Sequence, residues 1–291
     1  MSWKKKIYRL ILDGTPPVLL HPILKLASAV QYATYPQAGK QALRRNDALR
    51  SVALGKTAFI LATGPSVRDL DLTRIVGQDC YSVSNFFLHP LVQDLRPKMH
   101  FFAPYHEPLV LEEYVSWLRT SDQSLPKETE ITLGIDTEGL VRQNDLFADR
   151  TVHYIGLEKA AMSNGVDLRY PVMRPQSVPL MVLPVLLFMG YKRIVLIGCD
   201  HNILKDYGKS VSNFYKQGAD PRSNATSGAN WSAGIVQHLK NALNVFTQYQ
   251  MYQKYCEKHG VELIHTSPDG WLDFIPYVPL DEIPLTDPAD A

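Results

Sequence analysis

Short apolar runs that end in glycine, proline or small polar residues recur along most of the chain, and this pattern predicts β-strands. Seven segments fit it: TAFILATG, CYSVSNFF, KMHFFAP, ETEITLGID, TVHYIGLE, IVLIGCD and GVELIHTSP. Strands that recur with helices between them indicate a parallel sheet. The predicted fold class is therefore α/β, a single Rossmann-like domain with a mostly parallel sheet, helices on both faces and a lid segment.

Two helices and one long polar segment complete this pattern in the second half of the chain. An apolar stretch from about Ser177 to Met189 predicts a buried helix that Gly190 closes. A second helix is predicted from about Ala233 to His259. The segment between them is rich in Gly, Ser, Asn and Tyr, and a polar segment this long is usually functional, so we expect a lid over about 202–232.

The chain divides into a helical, basic lead-in over residues 1–54, the Rossmann-like domain over 55–280 and a tail over 281–291. Near the start, MSWKKKIYRLIL places basic residues beside apolar ones. This stretch is too short and interrupted for a membrane-spanning helix or a good signal peptide. It fits two structures, a helix on an anionic membrane surface or a helix packed on the domain.

Composition narrows the class of function. A net charge of +1 gives no electrostatic reason to expect nucleic acid as a partner. The three cysteines have no close spacing, so neither a disulfide framework nor a zinc site is predicted. We therefore expect a cytoplasmic protein whose function depends on a specific site.

The strongest candidate for that site is the turn after the first predicted strand, formed by Thr63, Gly64, Pro65 and Ser66. Such a turn offers backbone N–H groups and a small residue that permits close approach. A helix that begins at Ser66 adds a positive N-terminus, and together these groups bind phosphate. The turn lacks both the Walker sequence and the three-glycine dinucleotide fingerprint.

Other polar residues follow predicted strands at the same edge of the sheet, where open α/β folds bind ligands. Asn85 ends the second strand and suits a base, a sugar hydroxyl or a simple turn. Arg174 and Ser177 precede the buried helix, where a guanidinium and a hydroxyl suit a phosphate or carboxylate. Asp200 and Asn202 emerge from the sixth strand and suit a metal, a sugar or the orientation of a base.

Several residues are candidates for proton transfer or for stabilising a leaving group. His201 follows the sixth strand, and His238 lies in the last predicted helix. Lid tyrosines such as Tyr207 can donate hydrogen bonds to a leaving phosphate. His106 and His265 are further candidates for a base.

One acidic pair bears on whether the chain uses a metal. Asp69 and Asp71 spell the Asp-x-Asp pattern that holds Mg²⁺ or Mn²⁺ in many sugar-nucleotide transferases. Their place in the first turn of the helix predicted after Ser66 favours capping and helix-dipole roles instead. We therefore predict no metal site.

Four segments together resemble the bacterial sialyltransferases of glycosyltransferase family 42 and the related MptE-like (DUF115) proteins. They are ILATGPSVRDLDLTRI, SVSNFF, MRPQSVPLMVLPVLLFMGYKRIVLIGCDHN and YCEKHGVELIHTSPDGWLDFIP. The resemblance covers the chain from about residue 56 to 280 and implies a Rossmann-like sheet with a lid.

The resemblance assigns roles to individual residues. It matches Gly64–Ser66 with the family's nucleotide-binding turn and Asn85 with its donor-binding Asn. Arg174 and Ser177 match an Arg-x-x-Ser ahead of the long helix, and Asp200 matches the acid that ends the following strand.

The chain also departs from the family pattern. Thr63 stands where the sialyltransferases have Asn, and Ala62 replaces their first Gly. Asn202 replaces a lid Tyr, whereas Tyr207 matches the second one. The family's catalytic His precedes the helix, whereas His238 lies within it.

The resemblance implies displacement at the anomeric carbon of a CMP-linked, sialic-acid-like sugar, with a His base and no metal cofactor. The acceptor would be a bacterial surface glycan or glycolipid, and the enzyme would contact the inner membrane peripherally. Homo-oligomerisation stays open. Two alternatives also stay open: an MptE-like pterin pyrophosphokinase that uses ATP and Mg²⁺, and a non-catalytic module that binds a nucleotide or glycan.

Overall fold

A computed structural model describes residues 17–105, 110–158, 165–206, 213–222 and 234–285. Each of the seven predicted strands is present. They are β1 Thr57–Leu61, β2 Asp79–Val83, β3 Met99–Phe101, β4 Glu130–Gly134, β5 Val152–Ile155, β6 Arg193–Ile197 and β7 Glu262–His265.

All seven strands form one parallel sheet in the order β5-β4-β3-β2-β1-β6-β7. The chain adds strands on one side of β1 as far as β5 and then returns to place β6 on its other side. The point where the strand order reverses is where open α/β sheets bind ligands. The predicted Rossmann-like fold is confirmed, with its switch point between β1 and β6.

The described part of the chain contains seven α-helices, of which the first two precede β1 and the other five connect the strands. They are α1 Pro17–Thr34, α2 Gln37–Arg45, α3 Val92–Leu95, α4 Leu111–Ser124, α5 Glu138–Gln143, α6 Pro179–Met189 and α7 Ile235–His259. The two long helices predicted in the second half correspond to α6 and α7. None of the helices described here is long and apolar enough to cross a membrane.

Side chains that alternate along the strands separate the core into layers on the two faces of the sheet. Ala58 and Ile60 of β1 point to the face that α6 and α7 cover, whereas Phe59 and Leu61 point to the opposite face. On that opposite face, α4 packs against β4 through a cluster that contains Trp117. This period of two is expected for strands that are buried on both sides.

The buried guanidinium of Arg150 joins the end of α4 to the strands beside it. Its side chain is 5% exposed and pairs with the Asp122 carboxylate at 2.6 Å. It also donates to five backbone carbonyls, those of Asp122, Leu125, Pro126, Lys127 and Thr129. These carbonyls lie in the last turn of α4 and the loop that follows, where a helix leaves acceptors unsatisfied.

We expect Arg150→Met to lower the free energy of unfolding by about 3 kcal/mol, because it leaves a carboxylate and several carbonyls without their donor. Urea denaturation measures this difference. Glu128→Gln is the control, because its ion pair with Arg96 is exposed and should contribute less than about 1 kcal/mol. Equal losses in the two variants would contradict the assignment.

Candidate active site at the carboxyl edge of the sheet

The turns that follow β1 and β6 are joined through one carboxylate. Asp200, which is 4% exposed, accepts the Ser66 backbone N–H at 2.9 Å and the Ser66 hydroxyl at 2.5 Å on its two oxygens. The Ser66 hydroxyl in turn lies 3.0 Å from the Ser267 hydroxyl, which follows β7. Three neighbouring strand ends thereby share one hydrogen-bonded centre at the switch point.

Two glycines allow this contact. A Cβ on Gly64 would overlap both the Asp200 carboxylate and the Gly198 carbonyl, so only glycine permits the β1 turn to approach this closely. Gly198 has a φ of +68°, a backbone conformation that residues with a Cβ rarely adopt. Gly64, the small residue predicted to permit close approach of a phosphate, thus permits close approach of the Asp200 carboxylate.

The structure corrects two expectations about the β1 turn. Residues Pro65–Asp69 form a 3₁₀ turn, and Ser66 binds Asp200 and does not cap an α-helix. The turn N–H groups are also bonded within the chain, because Gly64 donates to the Gly198 carbonyl at 2.9 Å and Ser66 donates to Asp200. Thr63 accepts the N–H of Phe214 through its carbonyl at 3.1 Å.

Asn85 lies directly after β2, on the side of β1 that faces away from β6, and its side chain is fully buried. Its amide contacts Trp117, Tyr215 and Asp220 through hydrogen bonds. Asn85 is therefore not only a turn residue, because its buried amide makes hydrogen bonds to three other side chains.

His100 supports the turn that carries Asn85. Ser84 has a positive φ of 52°, and His100 Nε2 donates to its carbonyl at 2.9 Å. The other ring nitrogen, Nδ1, accepts from the Ser82 hydroxyl at 2.7 Å. Burial lowers the pKa of His100 to about 3, so the imidazole is neutral at pH 7.

Arg174 and Ser177 lie just before α6, at the carboxyl edge. Gln248 of α7 holds this segment by donating to the Arg174 carbonyl at 2.8 Å and accepting the Gln176 N–H at 2.9 Å. The Arg174 guanidinium makes no ion pair or hydrogen bond with the described residues. The buried Ser177 hydroxyl lies near the Tyr249 phenol but outside hydrogen-bond geometry. Within the described ranges, a charged donor and a buried hydroxyl are thus left without partners.

His201 connects Asp200 with this second group of residues. Its Nε2 lies 2.9 Å from the Tyr249 hydroxyl, and its backbone has a positive φ of 48°. Burial lowers the pKa of His201 to about 4. A base with so low a pKa provides little driving force for proton transfer, which weakens the candidacy of His201 as a general base.

The structure describes two of the other candidates for proton transfer. His238 is on the first turn of α7 and is partly exposed. His265 ends β7 beneath Tyr277, and burial lowers its pKa. Tyr207 and His106 lie outside the described residues, so their predicted roles stay predictions.

An open cavity of about 660 Å³ adjoins the Ser66–Asp200 contact on the β7 side. Asn202 lines it together with charged side chains of both signs, namely Arg68, Arg74, Lys205, Asp69, Asp71, Asp200, Asp269 and Asp281. Its size suits a ligand of the nucleotide or disaccharide class.

Of the acidic pair after the β1 turn, Asp71 has a capping role, but it caps a second 3₁₀ turn and not the helix predicted after Ser66, whereas Asp69 ends the first 3₁₀ turn. Asp71 accepts the Thr73 N–H at 3.1 Å and begins the 3₁₀ turn Leu72–Ile75. Across the described ranges, no group of three or more His, Cys, Asp or Glu side chains is arranged to hold a metal ion.

Several residues of the site were missed from the sequence, among them Ser267, Trp117, Asp220 and Arg222, which pairs with Asp220. Trp117 comes from α4, which the strand-edge argument does not cover. Asp220 and Arg222 lie in the predicted lid, where Asp-Pro-Arg is a short charged motif in a polar segment. This motif is the feature of the sequence that could have indicated Asp220 and Arg222.

Comparisons with known proteins add a limited result. No family model and no curated protein matches the chain. A solved structure of a variant of the sialyltransferase CST-II in complex with CMP is similar at 18% identity and a TM-score of 0.45. The match covers 79% of this chain and 89% of that one. A likeness at this level does not assign residues, so the contacts described above define the site.

The depressed pKa of His100 predicts a pH-dependent stability. The unfolded chain binds a proton near the ordinary value of 6.5, whereas the folded chain does so only near 3, so acid favours unfolding. Between pH 7.5 and 5 this one group should lower the free energy of unfolding by about 2 kcal/mol. His100→Gln should lower stability at pH 7.5 and lose that share of the pH dependence in urea titrations. An unchanged pH slope would contradict the prediction.

Proposed function

We propose that the chain is a glycosyltransferase that binds a CMP-linked sugar at the carboxyl edge of the sheet and transfers the sugar to a glycan or glycolipid acceptor. The observation that carries the proposal is the Arg174 guanidinium, which makes no ion pair or hydrogen bond with the described residues. The Ser177 hydroxyl, three residues further on, is buried and likewise has no hydrogen-bond partner among them. A built site with a charged donor and no anion of its own suits the phosphate of a ligand. The motifs shared with the sialyltransferases support CMP as the nucleotide.

In the proposed reaction, the acceptor hydroxyl attacks the anomeric carbon of the donor as the bond from that carbon to the phosphate oxygen breaks. The bonding pair leaves with CMP, whose new negative charge Arg174 stabilises together with nearby hydroxyls. The proton of the acceptor hydroxyl passes to a base. We assign this role to His238, because the low pKa of His201 disfavours the alternative.

Arg174 provides the first test. We expect Arg174→Ala to weaken CMP binding by about 10- to 100-fold, because charge-assisted hydrogen bonds to the phosphate are lost. Arg174→Lys should restore part of the affinity, since it restores charge without the bidentate geometry. Isothermal titration with CMP measures the affinity, and release of free sugar from a CMP-sugar measures turnover.

Arg193→Ala is the matched control, because Arg193 begins β6 at the opposite edge of the sheet. Unchanged affinity and turnover in Arg174→Ala would refute the proposal. A strict requirement for Mg²⁺ and ATP would favour pyrophosphoryl transfer to a pterin, for which Asp200 should matter more than any His. Nucleotide binding without turnover that survives loss of His201 and His238 would favour a non-catalytic module.

A further inference from the structure

Residues 213–222, here called the strap, cover the carboxyl ends of β1 and β2. Near the start of the strap, the Phe214 N–H donates to the Thr63 carbonyl at 3.1 Å. Arg68 donates to the carbonyls of Asn213 and Phe214. The Phe214 ring packs against Phe86, with 5.7 Å between the ring centroids. The strap is therefore held against the same turn that the sequence predicts to bind phosphate.

The strap contacts the N–H side of the Asn85 amide. Trp117 Nε1–H donates to Asn85 Oδ1 at 2.6 Å, and because an indole N–H can only donate, this contact fixes the orientation of the amide. Asn85 Nδ2 then directs both of its hydrogens at the strap, to the Tyr215 hydroxyl at 2.8 Å and to the Asp220 carboxylate at 2.8 Å.

The strap also covers the face of Trp117. The Arg222 guanidinium lies 4.4 Å from the centroid of the indole ring. It makes a two-pronged ion pair with Asp220, with nitrogen-to-oxygen distances of 3.0 and 2.9 Å. The side chains of Asp220 and Arg222 are 7% and 15% exposed, so the pair is largely buried over the indole.

These strap contacts are of the two kinds that a nucleobase makes, a hydrogen-bond acceptor for an amide and a planar group over an aromatic ring. A carboxylate oxygen accepts from Asn85 where a ring acceptor of a base could do so, and a planar guanidinium covers the aromatic ring where a base would stack. Because Asp220 and Arg222 both belong to the strap, displacing the strap leaves their ion pair intact. The contacts that are lost are ones that a base can replace.

We propose that Asn85 and Trp117 form the nucleobase subsite of the donor, and that Asp220 and Arg222 occupy this subsite until a nucleotide displaces them. This proposal rests on the proposed function. Only the N–H groups of the Asn85 amide face the ligand, so the subsite favours a base edge that presents acceptors. Cytosine presents O2 and N3 as acceptors, whereas uracil places an N–H donor at N3, so CMP is preferred over UMP.

The test compares CMP and UMP binding by isothermal titration in the full chain. We expect the double variant Asp220→Ala, Arg222→Ala to bind CMP about tenfold more tightly than the unmodified protein. Without these two side chains the subsite is open in a larger fraction of the molecules, and the apparent affinity rises with that fraction. Asp220→Asn should give a smaller gain in the same direction. Lys216→Ala is the matched control, since Lys216 is an exposed strap residue whose side chain makes no hydrogen bond or ion pair with the part of the chain that the structure describes.

Trp117→Phe tests how the base is selected. It keeps an aromatic ring but removes the N–H that orients the Asn85 amide, so the preference for CMP over UMP should fall. A purely structural role for Trp117 would change both affinities by the same factor and would contradict the assigned selection. Melting temperatures of all variants report whether each one folds.

The outcomes separate this proposal from the proposed function. If the unmodified protein and the double variant bind CMP equally, or the variant binds less tightly, the strap does not compete and the proposal is wrong, whereas the proposed function stands. If only the double variant binds CMP, the strap closes the subsite completely and the proposal is supported. If neither binds any nucleotide, both proposals are wrong.

Discussion

The hydrogen bonds between Ser66 and Asp200 determine the layout of the carboxyl edge. In a doubly wound sheet the loops diverge at the switch point and leave a crevice between them. Here the Asp200 carboxylate closes the bottom of that crevice by accepting both donors of Ser66. Gly64 is required for this arrangement because a side chain would enter the space of the carboxylate. A ligand therefore has room on the two sides of the contact and not through it.

The two sides differ in chemistry. On the β2 side, Asn85 and Trp117 form an enclosed centre with an aromatic face and directed N–H groups. On the β7 side, the open cavity presents charged side chains of both signs beside apolar surface, and such charged groups can bind sugar hydroxyls. A nucleotide-sugar has the same division, with a flat base at one end and a polar sugar at the other. The layout thus agrees with a donor that lies across the Ser66–Asp200 contact.

The strands, the fold class and the carboxyl-edge location of most candidate residues could be predicted because they depend on local patterns. An apolar run such as AFIL followed by Gly-Pro indicates a buried strand and its turn whatever the rest of the chain does. The partners of those residues could not be predicted in this way. Ser66 carries the local signal of a helix cap, but its hydroxyl binds a carboxylate 134 residues away. Trp117 reads from the sequence as an ordinary core residue of α4.

The strap contacts both the proposed base subsite and the turn after β1. The Arg68 guanidinium, which lines the open cavity, is held by carbonyls of Asn213 and Phe214. The Thr63 carbonyl is held by the N–H of Phe214. A base that displaces the strap from Asn85 and Trp117 would therefore also release the Arg68 side chain beside the β1 turn. In this arrangement, Arg68 becomes available to a ligand only after the strap is displaced, so a sugar phosphate without a base would meet a site that lacks the released Arg68.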